Sequence, residues 1–167
     1  MISPEKLAEQ AKAARREHAA LVKRLSACDP RKLDERVHGL HAEVFAAIDC
    51  LDCANCCRTL GPRITDTDVR RIGASLRIRP SAFVERYLRV DEDGDYVFRT
   101  MPCPFLGSDN RCSIYIDRPK ACREYPHTDR RRFYQVMPLM LQNSAVCPAV
   151  FAILERLRKE VKIRTTE

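Results

Sequence analysis

The sequence predicts a mainly helical α+β protein in which an N-terminal helical hairpin precedes a small cysteine-rich domain. Three observations lead there. Charged residues make up 32% of the chain and glycines number only five, a balance that favours helices over strands. Apolar residues recur at steps of three and four through the first fifty positions. Eight of the nine cysteines fall between residues 50 and 147. The boundaries that follow are 1–47 for the hairpin, 48–149 for the cysteine domain and 150–167 for a last helix packing on it.

Residues 3–27 read as the first helix, with Ser3 as N-cap and Pro4 at its first position. Leu7, Ala11, Ala14, His18, Leu21 or Val22, and Leu25 form its apolar stripe. Cys28-Asp29-Pro30 ends it, and Asp29 and Pro30 restart a second helix carrying Leu33, Val37, Leu40, Val44 and Ile48. Thr65-Asp66-Thr67-Asp68 reads as a capping box with Asp in place of Glu, opening a short helix through Val69, Ile72 and Leu76. Another helix is expected from Pro80, with Phe83, Val84, Tyr87 and Leu88 inward. Asp91–Asp95 is a turn, and the alternation in YVFRT predicts a strand with a return strand after it. Residues 102–126, rich in Cys, Pro and Asp, predict loops and short turns. Phe133–Leu141 reads as a strand that Pro138 confines to a sheet edge. Residues 149–161 predict a final amphipathic helix with Val150, Ile153, Leu154, Leu157 and Val161 on one face.

The whole of 167 residues suits one domain with a helical appendage, and 45% hydrophobic residues suffice for a core. The N-terminus carries charges from Glu5 onward without an apolar core, so no secretory signal is expected. Apolar runs such as VFAAI and AVFAIL are too short to span a bilayer. A cytoplasmic, reducing setting is therefore expected, with no membrane association. There a dense cysteine pattern points to metal or redox chemistry rather than to disulfides. The net charge of +7 and the clusters Arg15-Arg16, Arg70-Arg71 and Arg130-Arg131-Arg132 read as a solvated basic surface. No recognition-helix or aromatic RNA-binding signature accompanies them, so nucleic acid is not an expected partner.

The cysteines carry the chemistry. Cys50, Cys53, Cys56 and Cys57 sit within eight positions; Cys103, Cys112, Cys122 and Cys147 are scattered behind them. Two residues between cysteines let one tight turn aim both sulfurs at an ion while its N–H groups bond the thiolates. Cys50-x-x-Cys53-x-x-Cys56 repeats this spacing, like the first three ligands of a ferredoxin-type run whose fourth ligand is a distant Cys before Pro. Cys103-Pro104 and Cys147-Pro148 both have that form. Two closed tetrathiolate zinc sites are the rival reading, since sulfur suits both metals. Cys56 and Cys57 are adjacent, so their side chains should diverge and serve different metals or bridge two. The expected partition is Cys50, Cys53, Cys56 and Cys147 at one centre, and Cys57, Cys103, Cys112 and Cys122 at the other. Exchange of Cys57 with Cys56, or of Cys103 with Cys147, stays open. Cys28 is expected to be a buried hydrophobe. His38 and His41 are expected at a surface or between helices, and His127 stands as a lesser candidate ligand.

Read together, these segments resemble the YkgJ-type cysteine-cluster family, a zinc- or iron-chelating domain with a CxxCxxCC signature. Here the signature is CLDCANCC; the resemblance continues in ITDTDVRRIGASLRIRPSAFVERYL and CPFLGSDNRCSIYIDRPKACREYP and ends at Cys147-Pro148. It covers residues 48–149 and all eight clustered cysteines. It implies chelation of zinc or iron without a settled activity. A related cluster is associated with a flagellin lysine methylase, but no Gly-rich adenosylmethionine turn is present here, so methylation is not carried over. Arg118 and Arg123 either offset thiolate charge or pair with Asp117 and Glu124; Tyr115 and Tyr125 are expected to shield the site.

The expected function is therefore metal binding: eight cysteines holding a 4Fe–4S type iron–sulfur cluster, zinc, or one of each, with a redox or metal-sensing role. The alternative is a zinc-stapled interaction module without redox activity. Metal ions are the expected partners, with room for an unidentified protein. No Ser-His-Asp set, phosphate loop or carboxylate pair marks an enzyme.

Overall fold

The computed structural model describes residues 4–163, and the side chains of residues 6–160. Among the described residues there are nine α-helices and one two-stranded sheet. The chain forms two compact units. One takes the sequence up to Asp49 and again from Pro126 onward; the other is Cys50–Tyr125.

The first unit is helical. Helix α1 is Pro4–Leu25 and α2 is Pro30–Phe45. The predicted N-cap Ser3 lies outside the described residues. The second predicted cap is present: Asp29 accepts from the backbone N–H groups of Arg31 and Lys32, both at 3.0 Å, and Pro30 occupies the first turn. There the missing N–H costs nothing. The last helix of the chain, here α9 (Pro148–Ile163), packs on both α1 and α2. Its Val150, Ile153, Leu154 and Leu157 are buried with Leu33, Val37, Leu40 and Val44 of α2. Val161, the end of the predicted stripe, lies beyond the side chains described. His18 of α1 is 1% exposed; its Nε2 meets Glu155 of α9 at 2.9 Å, and its ring stands edge-on to Phe151.

Residues 133–143 correct an expectation. They form a 3-10 turn, Phe133–Gln135, and a helix, Met137–Asn143, rather than an edge strand. Phe133, Val136, Met137 and Met140 are spaced for one helical face, and all four are buried in one core with residues of α1, α2 and α9. Pro138 sits in the first helical turn, where it is tolerated. The turn is anchored by Asp34 of α2, which accepts from the backbone N–H groups of Arg132 at 2.7 Å and Phe133 at 2.8 Å.

The second unit opens on two short helices, α3 (Cys50–Cys53) and α4 (Asn55–Thr59). Helix α5 is Asp66–Ser75 and α6 is Pro80–Tyr87. Strands β1 (Leu88–Val90) and β2 (Tyr96–Phe98) pair antiparallel, Leu88 opposite Phe98. The predicted strand therefore has its partner before the Asp91–Asp95 turn, not after it. Leu88, expected on the inner face of α6, is indeed buried but belongs to β1. Helix α7 is Lys120–Glu124; the next, α8, is the Met137–Asn143 helix of the first unit. The core of the second unit centres on Phe83, fully buried, with Tyr87 and Phe105 beside it at ring distances of 5.3 and 6.4 Å. Ile64, Val69, Ile72, Leu88, Phe98 and Ile114 complete its buried set.

Candidate metal centre

The cysteine run folds as two helical turns joined by a strained residue. Ala54 lies between α3 and α4 with φ of 44°, in the left-handed region that alanine rarely occupies, and is 5% exposed. Its N–H bonds to Cys50 O at 2.8 Å. This sharp turn separates Cys50 and Cys53 from Cys56 and Cys57, which share the start of α4. The adjacent thiols do not diverge far: Cys56 Sγ and Cys57 Sγ stand 4.0 Å apart.

The second cysteine segment is a tight loop. Leu106 N–H bonds to Cys103 O at 3.0 Å, Gly107 N–H to Arg111 O at 2.8 Å, and Ser113 N–H to Phe105 O at 2.9 Å. Leu106 also pairs with Cys112 as a β-bridge. Nine positions apart in sequence, Cys103 and Cys112 thus come to the two sides of one loop. Both pack on the Phe83 core. Cys103 N–H bonds to Cys57 O at 2.9 Å, which ties this loop to the cysteine run.

Cys122 is carried by α7, and the predicted capping box positions that helix. Thr65 Oγ1 accepts from Asp68 N–H, and Asp68 accepts from Thr65 N–H at 3.1 Å. Asp68 also accepts from Arg71 at 2.6 Å and from Lys120 N–H, the first residue of α7, at 3.1 Å. One carboxylate, 2% exposed, therefore caps the start of α5 and the start of α7 together. Burial pushes this carboxyl up, but the donors outweigh it, and the group titrates below the ordinary aspartate range.

Two arginines, Arg118 and Arg58, act on the thiols by charge. Arg118 lies 3.7 Å over the Tyr115 ring and donates from Nε to Tyr115 O at 2.9 Å. Its own carbonyl accepts from Arg71 and Arg123. Asp117 goes instead to Ser75 and Arg71, and Glu124 to Lys120. Arg118 is not paired with Asp117, and its charge acts to lower Cys57, Cys112 and Cys122. Tyr115, expected to be a shield, is 55% exposed and serves as the platform for Arg118.

The thiols of Cys57, Cys103, Cys112 and Cys122 sense one another. Cys57 is lowered to about 7 by the hydrogen bond from Cys56, against the effect of burial and with help from Arg118 and Arg58. Burial pushes Cys103 up to about 11, Cys112 upward and Cys122 up to about 12. Backbone N–H groups of Phe105 and Leu106 aim at Cys103, and that of Ile114 at Cys112. Amide donors two and three residues beyond a cysteine are what a thiolate needs, and a cation among the sulfurs would reverse the penalty of burial. The donor set thus suits a thiophilic ion. Among the described residues, no three Cys, His, Asp or Glu side chains stand at ion-holding geometry; the four thiols are gathered near one another rather than closed on a point.

The remaining candidates are placed as follows. Cys50 is exposed, and Cys53 and Cys56 are half-buried, in the second unit. Cys147 is half-buried in the first unit, immediately before α9, its N–H bonded to Asn143 O at 2.7 Å. Cys28 is exposed, not buried as expected, because it lies in the connection after α1 with Sγ turned to Arg24 O. His38 and His41 bond to Arg130 O and Thr128 Oγ1 within the first unit, as residues between elements. His127 has φ of 69° in the turn beside Thr128. The described residues, which include all nine cysteines, contain no disulfide.

A family model described as "Putative zinc- or iron-chelating domain", with the signature CxxCxxCC, matches residues 49–147. That is well over half of the chain. The chain belongs to the CxxCxxCC family. The CxxCxxCC match begins one residue before Cys50 and ends on Cys147, so all eight clustered cysteines lie inside it and Cys28 lies outside. Membership supports binding of zinc or iron. No curated protein and no solved structure matches the chain. No helix among the described residues is long and apolar enough to cross a membrane.

Proposed function

We propose that this CxxCxxCC protein chelates its metal through cysteine thiolates, with Cys57, Cys103, Cys112 and Cys122 forming one centre. The observation that carries the reading is that these four thiols, from four separate points of the sequence, lie close enough for their charges to interact, with Cys103 N–H tied to Cys57 O, Leu106 bridged to Cys112, and backbone N–H groups bonded to Cys103 and Cys112. Packing alone gives no reason for amide N–H groups to aim at sulfur. Cys50, Cys53, Cys56 and Cys147 make the second set. Cys147 is assigned to it on its Cys-Pro spacing alone. The ferredoxin-like run Cys50-x-x-Cys53-x-x-Cys56 supports an iron–sulfur cluster there, with a redox or metal-sensing role. Zinc in both sets would instead make the cysteine unit a stapled interaction module.

Element analysis and the visible spectrum of protein purified without oxygen, after expression with ample iron, test this. Bound iron with sulfide and a broad absorption near the blue end supports the cluster. Stoichiometric zinc that resists iron reconstitution supports the stapled module. Protein that retains neither metal contradicts the proposal.

A further inference from the structure

The loop carrying Cys112 and the run carrying Cys50–Cys57 are joined by a side-chain clamp that the sequence does not announce. Arg58, the residue after Cys57, donates from Nη1 to Cys53 O at 2.6 Å and from Nη2 to Asn110 Oδ1. Asn110 donates from Nδ2 to Leu51 O at 2.6 Å. Both carbonyls belong to the short α3 that holds Cys50 and Cys53. Asn110 sits at φ of 64° in the Gly107–Arg111 turn, and its N–H bonds to Gly107 O at 3.1 Å. Asparagine tolerates this conformation better than most side chains. The turn therefore presents an amide whose donor and acceptor both meet the cysteine run, two residues before Cys112.

We infer that Arg58 and Asn110 are positioning residues for metal capture, locking the Cys50–Cys57 run in register with the Cys103–Cys112 loop before any ion arrives. The inference rests on the thiolate-chelation reading above. It goes further by saying which residues preorganise the ligands and how. Four short helical residues have too few internal bonds to fix their own direction. The carbonyls of Leu51 and Cys53 are instead held from outside by a planar fork and an amide. A guanidinium can bridge two acceptors at fixed angles, which an ammonium on a flexible stem does not reproduce. The charge of Arg58 also acts on Cys57, but the clamp is a matter of direction and not of charge.

Cobalt(II) titration of the anaerobic, metal-free full chain tests this, read by the sulfur-to-cobalt charge-transfer band with competition by a chelator for affinity. Asn110→Gly keeps the backbone conformation and removes the amide. Arg58→Gln removes fork and charge, and Arg58→Lys keeps charge only. Loss of outer partners of metal ligands typically weakens binding about 10–100-fold, and a loss in that range is expected for all three variants with unchanged far-UV circular dichroism. Failure of Lys to restore what Gln loses is the signature of the clamp. Wild-type affinity in Asn110→Gly, or full rescue by Lys, overturns the inference while leaving chelation intact. Absence of the charge-transfer band from the wild-type chain overturns chelation by thiolates, and this inference with it.

Discussion

Cys57→Ser is expected to weaken metal retention by about a hundredfold, and Cys28→Ser to leave it unchanged. A structural tetrathiolate zinc site is worth about 10–16 kcal/mol in all, so one of four ligands accounts for about 3 kcal/mol, or about two decades of affinity. Serine keeps the size of the side chain and its place in α4, but offers a hard, protonated oxygen to a soft ion. Cys57 is the informative choice because it touches both parts of the candidate site. Its thiol neighbours Cys56 at 4.0 Å, its carbonyl receives the Cys103 N–H, and its charge is felt by Cys103, Cys112 and Cys122. Cys28 is the control: exposed, in the other unit, and outside the family match. Metal per chain after exhaustive dialysis against a weak chelator measures the difference. Equal losses in both variants would show that retention tracks cysteine content rather than the gathered site.

Asp68→Ala is expected to destabilise the metal-free cysteine unit by about 3 kcal/mol. Removing one partner of a buried ion pair costs about 3–5 kcal/mol because the other partner is stranded; the lower end applies because Arg71 keeps 28% of its side chain in solvent. The change also removes the acceptor for Lys120 N–H, and so loosens α7 and Cys122. The pH dependence has a definite sign. Burial raises this carboxyl and its donors more than offset that, so the folded pKa lies below the unfolded one. The contribution is fully present above the unfolded aspartate value of about 3.9 and is lost as the pH falls through the folded value. Denaturant melts of the metal-free chain from neutral pH down into the acid range check this. Wild type should lose stability more steeply than Asp68→Asn across that range, and parallel curves would contradict the assigned role.

The signals that were legible in the sequence are local ones. Asp29-Pro30 and the Thr65–Asp68 box act within four residues, so propensity and capping chemistry reveal them directly. The cysteine spacing was legible for the same reason. Longer-range choices were not. The strand Tyr96–Phe98 has the right alternation, but nothing local says whether its partner precedes or follows the turn. Phe133–Leu141 mixes β-formers with a proline, and the decisive fact, that Phe133, Val136, Met137 and Met140 line one helical face buried with residues of α1, α2 and α9, depends on tertiary partners, two of which, α1 and α2, lie far away in the sequence. The return of the chain after Tyr125 to the first unit is tertiary information of the same kind. Asn110 and Arg58 were missed because their partners are backbone carbonyls, which carry no sequence signature. The faint available cue was Asn in the polar turn GSDNR, a residue suited to positive φ.

The most direct test of thiolate chelation is X-ray absorption at the edge of whichever metal the anaerobic full chain retains. The account predicts a first shell dominated by sulfur, at about 2.3 Å if the metal is zinc. A shell of nitrogen and oxygen at about 2.0–2.1 Å would contradict it, whatever the metal content.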